Sequence, residues 1–205
     1  MSFKFLVDTY ATERLKTLTV WAQFGERELE FRPEPRARSV REQFVHQCLS
    51  ENGWFVDMLG LREGGEPLPD RETRLGFLER YAEASGERLD FLASRSHPWF
   101  EQEASFFDVR RSHAWILVRR IAHSAHHRGQ LTAYHRMLGH ALYSTYGPTA
   151  DTGGLPKAEP EVIYPYDSVE ALLEGERSGG RRPPLPGPGS EPPTERPDGR
   201  PAARP

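Results

Sequence analysis

The most informative stretch of this sequence is IAHSAHHRGQL, residues 121–131. It lies inside a longer segment, residues 111–138, whose apolar residues recur with the period of an α-helix. Residues four apart lie one above the other on a helix, so His123 and His127 share a face. Gly139 directly follows the segment and is a typical helix-ending residue. The stretch therefore predicts a long helix with two imidazoles stacked on one side.

Three other segments also have helical periodicity. They cover residues 2–27, 39–61 and 71–93. Ser39 and Glu42 match a capping box, which marks the start of the second helix. Loops rich in Pro and Gly separate the segments, no strand is convincing, and residues 99–110 are expected to be an irregular connection. Four helices of this length predict an all-α fold, a four-helix bundle.

Composition limits the class of protein. The chain has 205 residues, 28% of them charged, and a formal net charge of −3. This balance gives no basic surface for nucleic acid, and no apolar run approaches the roughly 20 residues of a membrane span. The single cysteine, Cys48, excludes an internal disulfide and fits a reducing compartment. We therefore expect a soluble, cytoplasmic protein without nucleic-acid or membrane partners.

The C-terminal region has a different composition. Nine of the 18 prolines lie between Pro183 and Pro205, among Gly, Arg and Glu. Such a segment buries too little apolar surface to offset the entropy cost of ordering it. We predict a helical domain over residues 1–175, with a short helix near 168–173, and a disordered tail over 176–205.

The two stacked histidines suggest a metal site. An i, i+4 pair of imidazoles supplies two ligands in zinc helices, but no Glu follows His123, so the general base of the HExxH motif is missing. A third ligand is available in His46, on the second helix. If the second and fourth helices are neighbours, His46, His123 and His127 converge and leave an open coordination position, as in catalytic sites. Hydrogen-bonded core histidines are the alternative.

Several neighbouring residues have predicted roles. Gln130 is expected either to orient a ligand or to form a helix–helix hydrogen bond. Arg128 is expected in a salt bridge or a subunit contact, and His126 on the flank of the helix or in solvent. Asp57 lies roughly 16 Å from His46 along the helix axis, too far to share a metal. Cys48 is expected in the core, and packing roles are expected for Trp54, Trp99 and Trp115.

The HHRGQ string, with a lone histidine far upstream, resembles the signature of the DinB-like (damage-inducible) family of metal-dependent four-helix-bundle proteins. The resemblance covers most of residues 2–155, including YGPTAD at 146–151. It implies that His46, His123 and His127 are metal ligands. It also implies an up-down-down-up bundle with one long crossover.

Relatives in this family include metal-dependent hydrolases and low-molecular-weight-thiol transferases. The resemblance therefore implies a divalent metal ion (Zn, Ni or Fe), a small-molecule substrate, a thiol cofactor, a homodimer and a role in stress or detoxification. It assigns no catalytic side chain. The first helix has Thr9-Tyr10-Ala11-Thr12 where the family often has a Trp-Ala-Asn-like motif. A non-enzymatic bundle with a structural or vestigial metal site is the alternative.

Overall fold

A computed structural model describes residues 3–62, 65–154, 160–180 and 182–188. The chain divides into two compact units, Met1–Leu131 and Thr132–Pro205. The predicted domain boundary at residue 175 lies within the second unit. Most of the predicted disordered tail, namely residue 181 and residues 189–205, lies outside the described residues.

The described residues form six α-helices and one two-stranded sheet. In chain order these are α1 (Lys4–Ala22), α2 (Val40–Gly53), α3 (Arg74–Ala93), α4 (His97–Glu101), β1 (Glu103–Phe106), β2 (Val109–Ser112), α5 (His113–Met137) and α6 (Val169–Arg177). A 3₁₀ turn covers Glu26–Glu30, and a π-helical turn, Trp54–Met58, extends α2. None of these helices is long and apolar enough to cross a lipid bilayer.

The helix ends follow local chemistry. The Ser39 hydroxyl accepts a hydrogen bond from the Glu42 amide, and the Glu42 carboxylate accepts one from the Ser39 amide, so the predicted capping box is confirmed. The first helix is shorter than predicted and ends at Ala22. Gly25 is extended, with φ −79° and ψ 160°, and redirects the chain into the 3₁₀ turn.

The direction of α3 relative to α1 follows from their contacts. The Arg14 guanidinium donates to the Ser85 hydroxyl at 2.9 Å, and further along α1 the rings of Trp21 and Phe77 are nearly perpendicular, with centroids 6.4 Å apart. Later residues of α1 thus contact earlier residues of α3. The two helices are antiparallel.

Contacts of α2 complete the topology. Phe44 stacks on Trp21, whereas Glu51, two turns later, accepts a hydrogen bond from Tyr10, so α2 is antiparallel to α1. The part of α5 up to Leu131 is in turn antiparallel to α2, since its contacts run from His127 against Gln43 to Arg120 against Ser50. The expected four-helix, up-down-down-up bundle is confirmed.

The connection expected over residues 99–110 contains regular structure, so the expectation of no strands was wrong. Helix α4 is followed by an antiparallel hairpin in which Glu103 pairs with Ser112 and Phe106 with Val109. The two-residue loop Phe107-Asp108 lacks the glycine or asparagine that normally identifies such a turn. Packing of Phe106 on Trp54, at 5.2 Å between ring centroids, is a long-range contact that the local sequence does not reveal.

The second unit is organised around α6 and a loop. Ser168 caps α6, which extends past the predicted short helix to Arg177. Buried Glu176 accepts hydrogen bonds from Tyr166 at 2.6 Å and from Arg182 at 2.7 Å. Within the predicted tail, Arg182 therefore has a defined partner, as do Pro183, whose carbonyl accepts from Tyr143, and Gly187, whose amide donates to the Asp151 carbonyl.

Candidate metal centre

Three histidines from two helices come together in the first unit. His46 lies on α2, and His123 and His127 lie one turn apart on α5. One ring nitrogen from each can be chosen so that all three lie within 4.8 Å of one another. The structure thus brings together all three predicted ligands. Their binding of a metal stays a prediction.

The spacing and chemistry of these nitrogens fit a divalent metal. The Nε2 atoms of His123 and His127 are 3.3 Å apart. Two nitrogens each about 2.0–2.1 Å from a tetrahedral zinc ion would be separated by about 3.3 Å. His46 completes the group, with its ring centroid 4.6 Å from that of His127 and 5.3 Å from that of His123.

Two glutamines fix the orientation of His127. Its Nδ1 faces the amide oxygens of Gln43 and Gln130, each at 2.9 Å. Because both partners are acceptors, Nδ1 carries the proton and the lone pair is on Nε2, the atom that faces His123. The Gln43 amide also donates to the Gln130 oxygen at 3.0 Å. Gln130 therefore has both predicted contacts: it meets a ligand imidazole and joins α5 to α2.

His123 is positioned differently. Its buried Nδ1 has no hydrogen-bond partner among the described residues. The ring packs instead near Trp54, at 5.8 Å between centroids, and against the other two imidazoles. Its Nε2 is therefore directed at the centre of the group by packing, and both His123 and His46 remain partly exposed to solvent.

The environment keeps the three rings neutral. Burial, followed by the positive charge of Arg120, lowers the pKa of His123 to about 3. Burial also lowers the pKa of His127 to about 4, and it lowers that of His46 with help from Arg38 and Arg120. Neutral imidazole is the form that binds a metal, so at neutral pH no proton needs to leave these rings first.

Arg120 was not identified from the sequence, although it lies one helical turn before His123 on the same face. It is 1% exposed and donates to the hydroxyls of Ser50 and Ser124, each at 2.9 Å. It also pairs with Glu51 at 3.7 Å. Arg120 thereby connects the histidine group to a buried ionic network.

The centre of that network is Glu51, which has no exposed surface. Its carboxylate accepts hydrogen bonds from Tyr10 at 2.6 Å, Tyr81 at 3.0 Å and Arg88 at 3.4 Å. Burial alone would raise the pKa of Glu51, but the charges of Arg120 and Arg88 outweigh it and lower the pKa. The carboxylate is thus fully partnered inside the bundle and is not a member of the histidine group.

Other predicted residues lie outside the group. Asp57 is exposed, and His126 is exposed on the flank as expected. Cys48 is buried, which confirms its predicted core position. The salt bridge expected for Arg128 is confirmed: it is buried and pairs with the carboxylate of Glu13 on α1.

Comparison with known proteins identifies the family of this chain. The model of the DinB family matches residues 1–158. The chain belongs to the DinB family. Two solved structures of DinB-like proteins share the fold, and a search of curated proteins found no significant match.

The two structures resemble the bundle at low sequence identity. The Bacillus cereus ATCC 10987 protein is 17% identical with a TM-score of 0.60, and the match covers 69% of this chain and 97% of that protein. The Bacillus subtilis protein is 15% identical with a TM-score of 0.54, covering 67% and 94%. At these identities the likeness supports the DinB fold alone.

Proposed function

We propose that this DinB-family protein is a metal-dependent enzyme that uses a small thiol as its nucleophile. The proposal is carried by the convergence of three neutral imidazoles, with ring nitrogens within 4.8 Å of one another, at a place where His46 and His123 still reach solvent. A divalent Zn, Ni or Fe ion bound there would supply a Lewis acid that lowers the pKa of a coordinated thiol.

The surrounding residues support an anionic nucleophile. Gln43 and Gln130 hold His127 with its lone pair inward, and Arg38 and Arg120 add positive charge near the rings. Among the described residues, no carboxylate joins the histidine group. A hydrolase commonly uses such a group to take a proton from water, whereas a thiol, with an ordinary pKa of about 8.5, loses its proton at a metal far more readily without a general base. This difference favours thiol transfer over hydrolysis.

Metal content and activity test the proposal together. Protein purified without a metal-affinity tag should contain about one metal ion per chain, and His123→Ala should lose it. His97→Ala is the control, because His97 is exposed on α4 and lies outside the group. Equal metal content in wild type and His123→Ala would defeat the assignment.

Activity assays then distinguish thiol transfer from hydrolysis. Wild type should consume a small thiol together with an electrophile, and His46→Ala should stay folded and lose this rate. Metal-dependent hydrolysis without thiol consumption would favour the hydrolase alternative. A large drop in melting temperature on chelation, with no reaction in either assay, would indicate a structural metal.

A further inference from the structure

A cluster of aromatic side chains adjoins the histidine group. We call it the aromatic wall, and it consists of Trp54, Phe106, Phe107 and Trp115. Phe106 contacts the other three, with ring centroids 4.9–5.2 Å away, and Trp54 also lies 6.5 Å from Phe107. The ring centroid of Trp54 also lies 5.8 Å from that of His123. The wall is therefore continuous with the predicted metal site.

The outer part of the wall is open to solvent. Phe107 is 71% exposed and Trp115 is 40% exposed. Neighbouring Val109 and Val118 are exposed as well. Single exposed apolar residues are common, but a contiguous aromatic patch next to a polar site is typical of a binding surface.

The backbone at Phe107 is strained. Its φ is +53°, and it is the first residue of the two-residue hairpin loop. Glycine is strongly preferred where such a loop requires a positive φ, and a bulky residue there is an outlier. Strain of this kind persists where the surrounding structure imposes it, and it clusters at functional sites. The ring of Phe107 contacts Phe106 and Trp54 but stays largely exposed, so core packing does not explain the cost.

Trp54 also has unusual backbone geometry. It begins the π-helical turn at the end of α2, in which the Leu59 amide donates to the Trp54 carbonyl at 3.1 Å. π-helical turns are rare and occur frequently at functional sites. The Arg120 guanidinium lies 5.6 Å from the indole centroid and supports the ring from the side of the bundle. The positive φ of Phe107 and the π-helical turn at Trp54 are both uncommon, and the two residues have neighbouring rings in the wall.

We propose that the aromatic wall binds the planar apolar body of the substrate, while an anionic group of the same molecule reaches the histidine group. The substrate class is a small aromatic compound with an anionic substituent. Rings stack at centroid separations of about 4.5–7 Å, the spacing found within the wall. Arg111 lies over Trp115 at 5.3 Å and adds positive charge at the outer edge. The inference rests on the proposed function only for what happens at the anionic end.

Binding of 2-naphthoate tests the wall directly. Its dissociation constant is measured by calorimetry on metal-free and on zinc-loaded protein. Phe107→Ala should weaken binding about fivefold to tenfold, the size expected for one aromatic contact. Phe5→Ala is the matched control, since Phe5 is 60% exposed on α1 outside the wall, and it should leave the affinity within about twofold. Butyrate, which has no ring, should show no dependence on Phe107.

A second variant separates binding from folding. Phe107→Gly relieves the positive φ and should raise the melting temperature by about 2–4 °C, while weakening 2-naphthoate binding as Phe107→Ala does. If Phe107→Gly is more stable than wild type but binds 2-naphthoate more weakly, the loss of affinity does not come from a damaged fold. Equal affinities of wild type and both Phe107 variants would overturn the proposal. So would a dimer that Phe107→Ala converts to monomer in sedimentation, because the wall would then be a subunit contact.

Binding of 2-naphthoate and the metal and thiol assays test two separate proposals. Phe107-dependent binding to metal-free protein supports the wall whatever the metal and thiol assays give. Tighter binding to zinc-loaded protein supports the placement of the anionic end at the histidines. If the protein catalyses thiol transfer but its affinity for 2-naphthoate does not depend on Phe107, the proposed function stands and the proposed binding role of the aromatic wall is wrong.

Discussion

The side-chain amide of Gln43 donates a hydrogen bond to that of Gln130 at 3.0 Å, and both amide oxygens face Nδ1 of His127. This contact joins α2 to α5 at the level of the histidine group. It also fixes which nitrogen of His127 carries the proton. The same two side chains thus position a helix pair and a predicted ligand.

Replacing Gln43 should weaken metal binding without removing a ligand. Groups that hold a ligating histidine typically contribute 10–100-fold in affinity, so Gln43→Leu should raise the dissociation constant for zinc by about that factor. Competition with a chromogenic chelator measures it. Gln102→Leu, at an exposed position, serves as control and should match wild type. Unchanged affinity in Gln43→Leu would show that the amide contacts only join the helices.

The buried carboxylate of Glu51 should be essential for stability. Glu51→Gln leaves Arg88 and Arg120 without their anionic partner inside the bundle, and breaking a buried pair costs about 3–5 kcal/mol. Urea denaturation should report a loss of this size in the free energy of unfolding. Asp90→Asn, an exposed change on α3, should stay within about 0.5 kcal/mol of wild type. Equal stability of the two variants would contradict a role for the network.

Two glycines in helices should respond oppositely to alanine. A Cβ on Gly76 would lie 2.3 Å from the backbone oxygen of Arg71, so Gly76→Ala should destabilise by about 1–3 kcal/mol. Nothing lies within 4 Å of a Cβ on Gly129, where alanine should add about 0.5–1 kcal/mol through helix propensity. Thermal melts of both variants check the signs. A loss in Gly129→Ala would contradict the open space described there.

Much of the bundle could be predicted from the sequence because its signals are local. The period of the apolar residues identified the long helices, and the Ser39–Glu42 pair identified the start of α2. The His123–His127 pair was visible because a helix repeats nearly every four residues. Predicting His46 as the third ligand required the assumption that α2 and α5 are neighbours. The hydrogen bond between Gln43 and Gln130 shows that they are.

The remaining features depend on contacts between distant residues. The hairpin was missed because its loop has no glycine or asparagine and its position depends on packing of Phe106 against Trp54. The local sequence does not reveal that Arg120 is buried, and only the fold places it between Ser50 and Glu51. Trp54 was expected only to pack, and its closeness to His123 emerges only in three dimensions.

The stability of the metal-free protein should depend on pH through the buried histidines. The pKa is about 3 for His123 and about 4 for His127, below the ordinary value of 6.5, chiefly because of burial. Between these values and pH 6.5 the unfolded chain binds protons that the folded chain does not. The free energy of unfolding therefore falls as the pH drops below about 6.5.

The upper limit of this effect is about 1.4 kcal/mol per pH unit for each ring. Because His123 is partly exposed and solvent screens it, we expect the two rings together to account for about 1–2 kcal/mol between pH 7 and pH 5. Urea titrations at a series of pH values measure the slope, with chelator present throughout. His123→Gln should flatten it, since one of the titrating rings is gone, whereas His97→Gln, at an exposed position on α4, should change it little. An identical slope in wild type and His123→Gln would mean that His123 makes no contribution to the acid destabilisation.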